Sequence, residues 1–262
     1  MKKILIPLLV VLMMASATAY LGTERNDSTV TLPELMNMQE YFRFEVRYGF
    51  MRLGDIEVFI EKDTLFRGHD AKLAKAVIKS NPSIPLVGYK EVHYYSILAY
   101  NEREPYGLKF WTNNLHKGID ESTLYDFDYE NGWVYTFEDG EPVDTLELSD
   151  PADSGPALFY FSRPFSGTGE TVDYPIYVEH EKGIVTIKNH KKVDRIKSQA
   201  FDGEQLEVYY SEGQADLQGP FGFKGYYKAW HKTGHMRIPI EAHVSVWLGN
   251  VRVRLVEYRE NL

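Results

Sequence analysis

The sequence predicts an all-β, mainly antiparallel fold, and three observations carry that prediction. Apolar and polar residues alternate with period two along most of the chain. The alternating runs are separated by turns rich in Gly, Asn and Asp, and helical spacing of apolar residues is confined to one or two short segments. About fourteen strands fit this template over the 262 residues, a length that all-β folds often reach as a single domain.

Taken in order, residues 20–40 read as a leader, polar from Gly22 to Thr31 and offering only Leu32, Leu35, Met36 and Met38 for packing. In Tyr41–Tyr48, Phe42, Phe44, Val46 and Tyr48 share one face and Arg43, Glu45 and Arg47 the other, the signature of a half-buried strand. Gly49 and Gly54 bracket a turn into Ile56, Val58 and Ile60. Leu124–Tyr129 and Trp133–Phe137 flank Glu130-Asn131-Gly132, a hairpin signal. Tyr174, Ile176 and Val178 lead over His180–Gly183 into Val185 and Ile187. Phe223–Trp230 turns at Lys232-Thr233-Gly234 into a long strand, Met236–Trp247, and Gly249-Asn250 turns the chain again into Val251–Tyr258. Pro239 lacks an N–H, so within that long strand it requires an edge or a bulge.

Two segments depart from this grammar. Asp70–Lys79 is rich in Ala, Leu and Lys, with Asp70 placed to cap a helix, and its alternation as a strand is less clean. Pro156–Ser162 is the better helix. It follows the breaker-rich stretch 149–155, Asp153 or Ser154 can cap it, and Leu158, Phe159 and Phe161 can bury it. The stretch 149–156 divides the strands into two runs and reads as a hinge between half-sheets of one barrel.

The first nineteen residues read as an address. Lys2 and Lys3 precede an apolar run from Ile4 to Ala15, and Ala17-Thr18-Ala19 supplies small residues for cleavage after Ala19. The run is shorter than the roughly 20 residues a bilayer crossing needs. No cysteine follows it to carry a lipid, and no later segment is apolar enough to span a membrane. The expectation is a soluble, exported protein of the periplasm rather than an integral membrane protein.

Composition narrows the chemistry. The 38 acidic residues outnumber the 29 Lys and Arg, giving a net charge of −9, which argues against nucleic acid, whose binders need basic surface. With no cysteine there is no disulfide, thiolate metal site or cysteine nucleophile. His231 and His235 have a spacing that suits zinc, with His243 eight residues on. The intervening Thr233-Gly234 makes a turn, and His235 and His243 on one extended strand stand about 27 Å apart. They read as solvent-facing strand histidines, and no metal or cofactor is expected. Asp126, Asp128 and Glu130 resemble the start of a calcium loop, but Asn131 and Phe137 occupy the positions that need Gly and Glu. Interleaved Phe127 and Tyr129 make these acids the polar side of a strand. Nucleophile, zinc-protease and nucleotide-loop motifs are missing, so no catalytic or ligand-binding residue is nominated and the reading leans away from an enzyme. Nineteen Tyr, fourteen Phe and four Trp remain. The neighbours Tyr94/Tyr95, Tyr209/Tyr210 and Tyr226/Tyr227 must point to opposite faces, so some rings are free to line a lipid cavity or stack on sugars.

The chain resembles the DUF3108 family, exported bacterial proteins of unknown function, over residues 40–260. The resemblance lies in the strand, glycine turn and strand from Phe42 to Gly54, and in Asp150-Pro151, Ser154, Ala157–Tyr160 and Arg163, similar to a short helix ending in Arg. It continues in Arg237-Ile238-Pro239, Ile240-Glu241-Ala242 and Leu248–Val251 through Leu255–Tyr258, similar to a closing hairpin. It implies a β-rich, barrel-like envelope protein and places Asp70–Lys79 in a strand, against local propensity. The expectation is therefore a signal peptide (1–19), a leader (20–40) and one domain (41–262) forming a large curved sheet or incompletely closed β-barrel with one short helix. Its expected role is non-catalytic binding of an apolar, lipid-like ligand or envelope maintenance. The alternative is a carbohydrate-active protein, either a polysaccharide-degrading enzyme or a glycan-binding module.

Overall fold

The computed structural model describes residues 28–84, 89–116, 119–148, 150–217, 223–246 and 249–260. The expected signal peptide and cleavage site lie outside these residues. A six-residue helix, α1 (Leu32–Asn37), precedes nine strands: β1 (Glu40–Tyr48), β2 (Met51–Phe66), β3 (His69–Ser80), β4 (Glu91–Tyr100), β5 (Pro105–His116), β6 (Ile119–Glu121), β7 (Thr123–Asp128), β8 (Trp133–Glu138) and β9 (Glu141–Glu147). After α2 (Ala157–Phe165) come β10 (Thr171–Val178), β11 (Glu181–Lys197), a 3-10 turn (Gln199–Phe201), β12 (Gln205–Ala215), β13 (Phe223–Lys232), β14 (Pro239–Val246) and β15 (Gly249–Glu260).

All fifteen strands belong to one antiparallel sheet, ordered β10 through β15, then β1 through β5, β7, β8 and β9, with β6 on β5. Most strands pair with their neighbours in sequence, as hairpin turns dictate; β6 and β7 both pair with β5, β9 and β10 are not paired, and β15 returns to β1. There Glu40 faces Glu260 and Phe42 faces Tyr258, so the two ends of the described chain are zipped side by side. The order is that of an up-and-down barrel whose ladder is open at one place, between β9 and β10.

That opening coincides with the breaker-rich connector. Rather than swinging free as a hinge, the connector is bonded to strands on both sides. Ala152 accepts from the Gly107 amide of β5 at 2.8 Å, Asp153 accepts from the Tyr177 amide of β10 at 3.1 Å, and Asp153 bridges Ile176 in parallel. The Tyr177 hydroxyl donates to the Glu147 carbonyl of β9 at 2.6 Å. A Cβ added to Gly107 would stand 2.5 Å from Asp153 Oδ1, so this glycine is where the connector approaches β5.

The ambiguous segment Asp70–Lys79 is strand β3, paired along most of its length with both β2 and β4. Ladder bonds on both edges outweigh a helix preference worth only tenths of a kcal/mol per residue. At the β7–β8 hairpin Gly132 takes φ +76°, and Asn131 donates from its backbone and side chain to Asp128. The long strand expected from Met236 starts only at Pro239. Arg237 has φ +48°, and the register shifts between Trp230 and His231, so the proline sits beside a bulge where no ladder N–H is required.

Helix α2 extends to Phe165, past the expected end at Ser162. Its first turn is bonded by Asp153, whose Oδ2 accepts from the Ala157 amide at 3.1 Å and the Gly155 amide at 3.2 Å. One face carries Phe161 and Phe165 into a cluster with Tyr174, Leu98 and Ala74. On another, Phe159 meets Phe42 and Phe44 edge to face at 5.0 and 6.1 Å. The stretch read as leader contributes to the same core: Val30, Leu32, Leu35 and Met36 are buried, and Thr31 and Glu34 form a capping box at the start of α1.

Candidate functional site: an apolar cavity with a buried polar end

A cavity of about 410 Å³ lies between α2 and strands β1, β2 and β11–β15. Its origin is visible in the register. Ser211, Ala229, Ala242 and Val253 face one another in a row across β12, β13, β14 and β15. Three of these four side chains are too small to reach Leu158 and Phe159 of α2, which line the same space. Phe44, Ile56 and Val58 close it on the β1–β2 side, and Ile187 and Tyr227 on the other. Tyr227 lies over Gly213, where any side chain would collide with its ring. Nearly every atom exposed to the cavity is apolar.

A polar network stands at the helix end of this space. Arg163 of α2 is wholly buried and grips Glu40 with both terminal nitrogens, at 2.6 and 3.1 Å. It also donates to the Met236 carbonyl at 2.8 Å, and its guanidinium lies 5.4 Å from the Phe42 ring centre. The Tyr258 hydroxyl donates to Glu40 at 2.7 Å. Arg237 donates to the Ser166 carbonyl at 3.0 Å and to the Gly234 carbonyl, and covers the Tyr209 ring at 4.7 Å. His231 lines the cavity, is only 3% exposed, and its Nδ1 has no hydrogen-bond partner among the described residues. Burial first, then Arg163 and Arg237, push its imidazole down to about 3, so it is neutral at ordinary pH. Asp153 is the second buried ionisable group of note. Burial raises its pKa, opposed by hydrogen bonds from Ser96, at 2.5 Å, and from the amides of the turn before α2.

The residues singled out in the sequence fall elsewhere or behave differently. His231, expected on a solvent-facing strand surface, is buried because the bulge before Pro239 turns it inward beside Tyr209. His235 is exposed beside Glu34, and His243 binds Glu241 at 2.7 Å. Among the described residues no group of three His, Asp or Glu is placed to hold a metal ion. Asp126 pairs with Arg67 at 2.7 Å and Asp128 closes the hairpin turn, so these acids act in local structure. The tyrosine pairs divide as strand geometry requires. Tyr209 is buried while Tyr210 lies between His190 and Trp230, and Tyr95 stacks on Trp111 at 4.9 Å while burial pushes Tyr94 up to about 12. The roles of Glu40, Arg237 and His231 escaped the sequence reading, since nothing local marks contacts made across the fold, such as that of Glu40 with Arg163, 123 positions on.

No protein-family model matches the chain, and no curated protein matches it. Among solved structures, a β-barrel-like protein of the DUF1849 domain of unknown function from Brucella abortus superposes with a TM-score of 0.52. It shares 9% identity over 86% of this chain and 98% of its own. A protein of YmcC-like fold from Bacteroides fragilis, described as exported, gives a TM-score of 0.33 at 5% identity, over 84% of this chain and 95% of its own. A protein from Parabacteroides distasonis described as a lipoprotein gives 0.34 at 8% identity, over 86% and 96%. The first of these shows that the barrel-like fold is shared. Among the described residues no helix is long and apolar enough to cross a membrane.

Proposed function

We propose that this chain is an exported envelope protein that binds an apolar, lipid-like ligand without catalysis, in the cavity between α2 and the sheet. The observation that carries the reading is the lining: a space of about 410 Å³ whose exposed surface is nearly all hydrocarbon. At about 30 Å³ per water-sized group, it holds roughly a dozen methylenes. Burying each of these from water yields about 0.8 kcal/mol, so one acyl chain binds without any special chemistry. Export rests on the N-terminal charge, apolar run and Ala17–Ala19 pattern. Membership of DUF3108 rests on the motifs quoted above.

Native mass spectrometry of protein purified gently from a periplasmic extract tests this reading. A bound mass that partitions into organic solvent is expected. A clean apo mass, together with failure of the purified protein to bind a neutral apolar dye, overturns it. A separate cleft of about 560 Å³, lined by Tyr94, Phe110 and Tyr125 with Glu91 and Asn114, supports the glycan alternative, because it mixes ring faces with polar groups. A glycan array tests that reading directly.

A further inference from the structure

The β1–β2 turn, at one rim of the barrel, holds apolar side chains out in water. Tyr48 and Met51 form the last register pair and are both exposed, Gly49 takes φ +57° to reverse the chain, and Phe50 is 88% exposed at the tip. Single exposed apolar residues are ordinary, and the charge behind this one gives it a meaning. The next register pair is Arg47 with Arg52, and the same row runs on through Arg252, His243 and Lys228 of β15, β14 and β13. The acids that pair with these arginines, Glu45, Asp55 and Glu241, stand one row further from the turn. Glu241 is 7% exposed against 47% for Arg252, so the guanidinium stands over the carboxylate and meets solvent first. Arg47 donates to the Phe50 carbonyl at 2.9 Å, which holds its cationic head against the tip. The turn at the far end of β2 also exposes an apolar residue, Leu65. There Glu61, Asp63 and Asp70 outnumber Lys62 and Arg67, and Lys72 is spent on Asp63, so no positive surface backs it.

We propose that this rim docks on an anionic phospholipid bilayer, with Phe50 and Met51 entering the interface while Arg47, Arg52 and Arg252 bond lipid phosphates. The dimensions agree. Arg47 lies two residues of strand behind the turn, roughly 7 Å, and interfacial segments sink about 5–10 Å into the boundary between head groups and acyl chains. The arginines then stand at phosphate level, where charge-assisted bonds to oxygen are strong. The net charge of −9 fixes the orientation, because an anionic surface repels the rest of the molecule and attracts this row. Docking here is independent of what the interior cavity holds.

Sedimentation of the purified protein with lipid vesicles tests the docking surface. Vesicles of phosphatidylethanolamine with about 30% phosphatidylglycerol are expected to carry the protein down at about 50 mM salt, and vesicles of phosphatidylcholine are not. Raising the salt to about 300 mM weakens binding about fivefold or more, because the phosphate contacts are screened. Phe50→Ser lowers the affinity about tenfold and Arg252→Gln about fivefold. Both side chains are exposed and Glu241 keeps Arg254, so neither change strains the fold. The chain has no cysteine, so Phe50→Cys accepts a single NBD fluorophore at the tip and His69→Cys accepts one at the far end of β2. The fluorophore at position 50 is expected to brighten and shift to the blue on adding the anionic vesicles, and the one at position 69 to stay unchanged. Absence of sedimentation, binding indifferent to phosphatidylglycerol and salt, full binding by Phe50→Ser, or a response at position 69 in place of 50 each overturns the proposal. Protein that stays in the supernatant with extracted lipid overturns the docking proposal while supporting the cavity reading.

Discussion

Arg163 near the end of α2 and Glu40 at the start of β1 stand 123 positions apart and meet in a two-pronged ion pair shut off from solvent. The pair joins the helix that fills the interior to the strand that closes the ladder with β15. It also receives Tyr258 from that last strand, so three elements converge on one carboxylate. Removing one partner strands the other charge in a medium that cannot solvate it.

Glu40→Gln is therefore expected to lower stability by about 3–5 kcal/mol, the cost typical of breaking a buried pair from one side. The paired replacement Glu40→Leu with Arg163→Met, which buries no charge, recovers most of the loss. Urea denaturation of Glu40→Gln, of Glu40→Leu and Arg163→Met singly and of their combination checks this, and a loss in the double variant equal to the summed losses of its two single variants counts against the coupling.

Acidification acts through His231. Its folded pKa lies near 3 against an ordinary 6.5, so below pH 6.5 the unfolded chain takes up a proton that the folded one refuses. The contribution is complete above pH 6.5 and is lost as the pH falls toward 3. Unfolding midpoints measured at pH 7.5 and pH 4.5 should separate more in wild type than in His231→Gln. Equal separation refutes the assignment.

Ala242→Leu adds a branched side chain to the small-residue row and fills part of the cavity without disturbing the ladder. Stability is expected to change by less than about 1.5 kcal/mol, because the added atoms enter empty space. Binding of a neutral apolar dye is expected to fall about tenfold. Unchanged dye titration would show that the dye binds elsewhere.

Gly107→Ala tests the connector. Its new methyl must displace Asp153 or the Ala152 carbonyl, at an expected cost of about 1–3 kcal/mol. Asp153→Ala leaves Ser96 and the Ala157 amide unmatched and is expected to cost about 3 kcal/mol. Hydrogen exchange in α2 and β10 should accelerate in both variants, while exchange in β2 and β3 tracks only the global change. Uniform acceleration everywhere would separate the connector from any local role.

Much of the architecture was legible because it is local. Alternation assigns faces residue by residue, so the opposite facing of Tyr209 and Tyr210 follows from strand geometry, and the hairpin at Glu130-Asn131-Gly132 follows from its turn residues. The strand at Asp70–Lys79 was harder, since its residues prefer a helix and only pairing with β2 and β4 overrules them. The helix boundary was set by Asp153, a connector residue held in place by Ser96 of β4.

By itself the sequence determined that this is a sheet protein without metal-thiolate or disulfide chemistry, with an export-like start and rings to spare on both faces. Its period, its turns and its composition are short-range properties, readable wherever they occur. The cavity, the Glu40–Arg163 pair and the unmet nitrogen of His231 were decided by register. One residue of slip in β13 would point Ala229 away from α2 and put Trp230 in its place. Register is fixed only when all the strands, the connector and the interior helix close on one another, and no window of sequence contains that closure.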